Sequence, residues 1–214
     1  MPLQCSAARE EERPPEPIFH KNQGPVHPLP TDQRPLWEIC LAPLDRALCR
    51  LDRPKAIQLL TELGERLEQQ RASLLGLEAR REELFAKIRQ TDCYAELQTI
   101  EQTLTALEAR QFQQTQSVPA LQRGCTGFRD LLAGRVCELV EAELTARGEG
   151  TRPGPYALIS MGSDGREEQT LLTDQDYLIV YGDGDENAAD HYFESFSSLL
   201  VERLAQVGFA RCSG

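Results

Sequence analysis

The stretch Leu158-Ile159-Ser160-Met161-Gly162-Ser163-Asp164-Gly165-Arg166-Glu167-Glu168-Gln169-Thr170-Leu171-Leu172-Thr173-Asp174-Gln175-Asp176-Tyr177-Leu178-Ile179-Val180-Tyr181 decides how the chain is read. It reads as an apolar strand, a glycine-containing turn into a short helix, and a second apolar strand that carries two carboxylates with one residue between them. Gly162 and Gly165 allow backbone geometries closed to other residues, so the turn can bring its N–H groups close to a bound anion. A helix starting just after Gly162 would offer unpaired amides and the positive end of its dipole to a phosphate. Ser163 would donate a hydroxyl and an amide, and Arg166 a fork-shaped cation from the same turn. Asp174 and Asp176 alternate with Gln175 on extended chain and therefore share one side of it. Two carboxylates facing a phosphate cradle are what Mg²⁺ or Mn²⁺ bridging a triphosphate needs, because such ions take a few carboxylates plus phosphate oxygens. The stretch thus predicts a phosphate-and-metal site.

Gly162-Ser163, ten intervening residues, then Asp174-Gln175-Asp176 and an apolar run resembles the signature of the polymerase-β-type nucleotidyltransferases. The fuller string from Gly162 to Leu171, with Thr173 to Asp176, is similar to one branch of them. That branch comprises the N-terminal domain of protein-PII uridylyltransferase and the related nucleotidyltransferase domains found beside CBS and cyclic-nucleotide-binding domains. The resemblance implies transfer of a nucleoside monophosphate from a nucleoside triphosphate, UTP by analogy, to a hydroxyl on a PII-like protein or a small molecule. It assigns catalysis and metal binding to Asp174 and Asp176, and nucleotide phosphates to Gly162, Ser163, Gly165 and Arg166. The wider family completes a two-metal site with a third carboxylate on a later strand, whereas Gly208-Phe209-Ala210-Arg211-Cys212 holds no acid. Either that carboxylate lies beyond Gly214 or the site is incomplete. The alternative is a non-catalytic regulatory or dimerisation module with a nucleotidyltransferase-like nucleotide-binding domain.

Other chemistries fit the same residues less well. Asp183, Asp185, Asn187 and Glu194 follow a calcium-loop template, but Ala188 stands where the sharp turn requires glycine, so a turn and helix cap explain them better. Asp183 or Asp185 is also a weak stand-in for the third metal ligand. Ser163 lacks the glycine two residues earlier that a hydrolase elbow needs, since Met161 is there, and no Lys precedes a Ser or Thr as in a Walker loop. For Asp174 and Asp176 the plain reading is a solvated strand start, and only their setting beside Gly162, Ser163 and Arg166 favours metal.

The sequence after this stretch predicts a turn over Gly182 to Asn187, with Asp185 or Asn187 capping a helix that runs to about Gln206. Phe193, Phe196, Leu199, Leu200 and Leu204 form its buried face, Gly208 ends it, and Phe209 to Cys212 makes a third strand. Strand, short helix, strand, helix, strand is the minimal nucleotidyltransferase α/β core.

Before it the chain is helical. Residues 1–35 hold eight of the thirteen prolines and read as a disordered leader, in which His20 and His27 are solvated rather than metal ligands. From Leu36, residues Trp37, Leu41, Leu44, Leu48 and Leu51 recur at helical spacing, with Pro43 marking a first turn, and Pro54 opens the next helix. Leu60, Leu63, Leu67, Gln70, Leu74, Leu77, Arg81, Leu84 and Ile88 alternate three and four apart, a coiled-coil or bundle seam. The phase breaks at Thr91-Asp92-Cys93, where Asp92 could cap a new helix, and resumes at Leu97, Ile100, Leu104 and Leu107. This predicts a hairpin of antiparallel helices, with one continuous rod as the alternative. Pro119 starts a further helix with Phe128, Leu131, Leu132, Val136, Leu139, Val140 and Leu144 on its apolar face, ending near Gly148. A seam this regular needs a partner helix, so the helical region is read as packing or as a homodimerising arm.

The expected fold is therefore α+β: a Pro-rich leader over 1–35, a helical hairpin or bundle region over 36–150, and the minimal polymerase-β-like nucleotidyltransferase core over 151–214. The formal charge of −11 is uneven, since residues 151–214 hold eleven acids against four arginines. That surplus disfavours a nucleic-acid partner and leaves cations and a small nucleotide welcome. No apolar run approaches the ~18 residues that span a bilayer, and acids and prolines stand where a secretory signal would be basic then apolar, so no membrane partner and a cytoplasmic location are expected. The seven cysteines form no Cys-x-x-Cys pair and are read as buried reduced thiols.

Overall fold

The computed structural model describes residues 36–172, 176–182 and 186–211. It is mostly helical, with one small antiparallel sheet, and is of the α+β class. Six helices and two strands follow the order α1 (Leu36–Leu48), α2 (Arg53–Gln90), α3 (Tyr94–Thr115), α4 (Val118–Arg147), β1 (Tyr156–Ser160), α5 (Gly162–Gly165), β2 (Tyr177–Tyr181) and α6 (Glu186–Val207).

Local signals set most of the boundaries. The Asp52 side chain accepts from the Lys55 amide at 3.0 Å, with Pro54 in the first turn of α2. Ser117 plays the same part for α4, accepting from the Ala120 amide at 3.4 Å ahead of Pro119. Gly148 and Gly208, at φ +79° and +120°, close α4 and α6 by donating back to carbonyls of the last turn. Two local expectations fail. α1 runs through Pro43 instead of turning there, and Asn187 lies inside α6 and does not cap it. Asp185, the other cap candidate, is outside the described residues.

The hairpin is present. α2 stops at Gln90 and α3 starts at Tyr94, so the continuous rod is excluded. Asp92 is not the cap; the Thr91 hydroxyl accepts from the Cys93 amide at 3.2 Å, and Cys93 occupies the cap position without a side-chain bond. Arg81 of α2 reaches across to α3, donating to Glu108 at 2.7 Å and to Gln111 at 2.8 Å. Burial pushes the Glu108 carboxyl up, an effect that the Arg81 charge opposes.

α4 is the central element. Phe128, Leu132, Val136, Val140 and Leu144 are all buried, and the core continues without a break from Leu84 of α2 to Phe209 after α6. The predicted face of α6 is buried too, and its Phe193 and Phe196 rings meet Tyr156 of β1 edge-on at 5.5 and 5.2 Å. Glu143 of α4 ties three helices together. It accepts from Arg203 of α6 at 3.0 and 2.6 Å, from Arg147 at 2.5 Å and from the Tyr94 hydroxyl of α3 at 3.2 Å. These cations hold its carboxyl down at about 2.

β1 and β2 pair antiparallel in the register Tyr156 to Tyr181 through Ser160 to Tyr177. The third strand expected at Phe209 to Cys212 is reduced to a single bridged residue, Ala210, among the described residues. Cys125 and Cys137 are buried, with burial raising their thiols to about 11 and 12, whereas Cys49 and Cys93 are exposed. The reading of buried thiols thus fits only two of them. Among the described residues, no helix is long and apolar enough to cross a membrane.

Candidate active site

The site forms where the two strands leave the sheet. Beyond the last paired residues, the Met161 amide donates to the Asp176 carbonyl at 2.9 Å, which extends the ladder by one bond and sets the turn beside the acid. Gly162 then takes φ +57°, a left-handed conformation that glycine adopts without strain, and a Cβ placed on it would lie 3.3 Å from Asp176 Oδ2. Asp176 is exposed and turns its carboxylate toward Gly162, while Ser163 is half-buried in the same turn. Gly165 packs so closely that a Cβ there would come within 2.5 Å of the Ser160 carbonyl oxygen. Both glycines are therefore required, one by conformation and one by space.

α5 is a single turn, closed by the Gly165 amide donating to the Met161 carbonyl at 3.0 Å. A helix this short has little macrodipole, so what it offers an anion is the local amides of its first turn, not the dipole expected from the sequence. Arg166 is well exposed and spends its Nε on Glu168 at 2.8 Å, which places its guanidinium in a surface ion pair. Asp164 points the other way and is only 2% exposed. Its charge and that of Asp130 add to burial in pushing the Tyr177 hydroxyl well above the ordinary phenol range. Thr173, Asp174 and Gln175 lie outside the described residues, as do Asp183 and Asp185. Among the described residues, no three His, Cys, Asp or Glu side chains converge as a metal site would need.

A cleft of about 610 Å³ opens beside Asp176. One wall is Met161, Gly162, Asp176 and Tyr177; the other is Val201, Leu204 and Ala205 of α6 with Phe209, Ala210 and Arg211. It is therefore apolar on the helix side, with a carboxylate and a cation at its polar edges. Arg211 stands in the segment where the third carboxylate was sought.

Arg129, in the middle of α4, is the positioning residue that sequence reasoning missed. It is 5% exposed and donates from Nη1 to the Thr170 carbonyl at 2.6 Å and from Nη2 to the Leu171 carbonyl at 3.1 Å. Nη1 also lies 3.3 Å from Oε1 of the fully buried Gln169. One guanidinium thereby fixes the chain three to five residues ahead of Asp174. The available signal was a charged residue on an apolar helix face, directly after Phe128.

With this geometry in hand, comparison with known families decides the assignment. A sequence profile matches residues 102–214, more than half of the chain. The chain belongs to the putative nucleotidyltransferase family DUF294. The DUF294 region starts inside α3 and so takes in most of α3 and all of α4 as well as the sheet, which agrees with the shared core and with Arg129 reaching from α4 to the site. Searches of curated proteins and of solved structures found no match.

Proposed function

We propose that this chain transfers a nucleoside monophosphate from a nucleoside triphosphate to a hydroxyl group. The observation that carries the reading is the Met161–Asp176 hydrogen bond, which sets the Gly162-Ser163 turn and the Asp176 carboxylate side by side at the mouth of the cleft. Amides and the Ser163 hydroxyl supply donors for phosphate, the carboxylate supplies a ligand for a cation, and the apolar wall of α6 suits a nucleoside. The acceptor oxygen attacks the α-phosphorus, the bond to the β-phosphate bridging oxygen breaks, and pyrophosphate leaves while the hydroxyl proton passes to solvent or a nearby base.

Asp176, with Asp174 two residues before it in the sequence, would hold Mg²⁺ or Mn²⁺, hard cations that take carboxylate and phosphate oxygens. When bound, such an ion neutralises charge on the triphosphate and lowers the pKa of the attacking hydroxyl. Gly162, Ser163 and Gly165 shape the phosphate cradle, and Arg166 would have to leave Glu168 to join it. By analogy with protein-PII uridylyltransferase the donor is UTP and the acceptor a PII-like protein in the cytoplasm. In this reading residues 151–214 carry the chemistry and residues 36–150 serve as a supporting and associating arm.

The second reading, a nucleotide-binding module without catalysis, is favoured by Arg211 standing where a third carboxylate was sought. Calorimetric titration of ATP, UTP, GTP and CTP with Mg²⁺ tests the first, against the Asp174→Ala, Asp176→Ala double variant. Metal-dependent binding that the double variant loses supports the site, and pyrophosphate release on adding an acceptor separates enzyme from module. Absence of binding by the folded parent chain would rule out both.

A further inference from the structure

α2 is far longer than the body it packs on. Of its 38 residues only Leu84 and Ile88 are buried, both near its C-terminal end. The seam continues upward through Leu77, Leu74, Gln70, Leu67, Leu63 and Leu60, beyond the level of Arg81 where α3 is engaged. Along that extension Leu60, Leu67 and Leu74 are 46%, 60% and 38% exposed, and Leu63 and Leu77 are half-buried. The polar contacts there, Gln58 with Glu62 and Arg71 with Glu68, stay within α2. Gly64 and Gly76 interrupt it with open space around each, and each glycine weakens a helix by about 1 kcal/mol relative to alanine. A helical extension of some 25 residues, about 37 Å long, with two glycines and a leucine stripe left open at Leu60, Leu67 and Leu74, needs a cover.

We infer that the cover is the same segment of a second copy of this chain, laid antiparallel. The stripe is its own complement when residues 60 and 77 face each other. Leu60 then meets Leu77 of the second copy, Leu63 meets Leu74 and Leu67 meets Gln70, so each a position faces a d position over the whole overlap. Charge selects the direction. In a parallel pair Arg66 would face Arg71 of the second copy on both flanks, a repulsion between like charges at neighbouring g and e positions. In the antiparallel pair Arg66 faces Ser73 and Arg71 faces Gly64, and no like charges meet at those positions. The overlap runs up to the body, because Ile57, 56% exposed, arrives beside Glu78 of the second copy, which lines a cavity with Gln111 of α3 and Ala120 of α4. The arrangement is independent of the nucleotidyl-transfer reading.

Sedimentation of the 214-residue chain at about 100 µM should give twice the chain mass. Leu67→Glu combined with Leu74→Glu should return the single-chain mass while the cooperative melt of the body persists, because neither residue is in the core. A spin label on Glu83→Cys, with every native cysteine except the buried Cys125 and Cys137 replaced by serine, reads direction. The antiparallel pair places the two labels about 45 Å apart along the axis, and a parallel pair within about 20 Å. A monomeric parent, a dimer that survives the double Glu change, or the short label distance would each overturn the inference.

Discussion

The Arg129 guanidinium donates to the Thr170 carbonyl at 2.6 Å across forty-one residues of sequence, joining the central helix to the loop that leads to the acids. With Leu171 as its second acceptor and Gln169 beside it, this buried cation spends its donors on the chain just ahead of the acids. Arg129→Ala should therefore destabilise the chain by about 2–4 kcal/mol in denaturant unfolding. Arg129→Lys should recover only part of this, because an ammonium lacks the planar fork that serves two carbonyls.

Gly165→Ala sets a methyl group against a backbone oxygen that has nowhere to go, 2.5 Å away on Ser160. A loss of about 1–3 kcal/mol is expected, with a matching fall in melting temperature. Gly162→Ala differs in kind. Its strain at φ +57° costs about 1 kcal/mol, and its methyl would press on Asp176 Oδ2, so nucleotide affinity should suffer more than stability.

Asp176→Asn should leave the melt within about 0.5 kcal/mol of the parent, since the side chain is exposed. Under the proposed function it should still lower metal-dependent nucleotide affinity by about tenfold or more, a difference that calorimetry would read directly.

Acid should loosen the joint at Glu143. Its folded value of about 2 lies below the unfolded carboxyl value, so its contribution is fully present above about pH 4.5 and lost as pH falls toward 2. After allowance for solvent screening the contribution is on the order of 1–2 kcal/mol. Glu143→Gln should be less stable than the parent at pH 7, and the gap should close as the pH is lowered through that window. Urea unfolding at pH 7, 4 and 3 measures it.

Much of this protein is written in short-range signals. Asp52 before Pro54, Ser117 before Pro119, and the glycines at 148 and 208 mark helix ends because a cap acts on amides and carbonyls within four residues of itself. The two strands and the turn between them were legible for the same reason, since Gly162 and Gly165 restrict their own backbone. Periodicity showed that Leu60 to Ile88 is one helical seam, but a three-four repeat is identical whether a partner lies on it or water does. Burial of Leu84 and exposure of Leu67 followed from where α3 ends, a matter of chain crossing. The partners of Arg129 could not be read from the sequence because they lie about forty residues away, and α1 runs through Pro43 although a proline there forfeits a backbone hydrogen bond. Neighbours along the chain named the elements and the Gly162-Ser163 turn. Packing of distant segments chose which seam is bare, which cation is buried and which carboxylate faces the cleft, because those depend on water being excluded by residues remote in sequence.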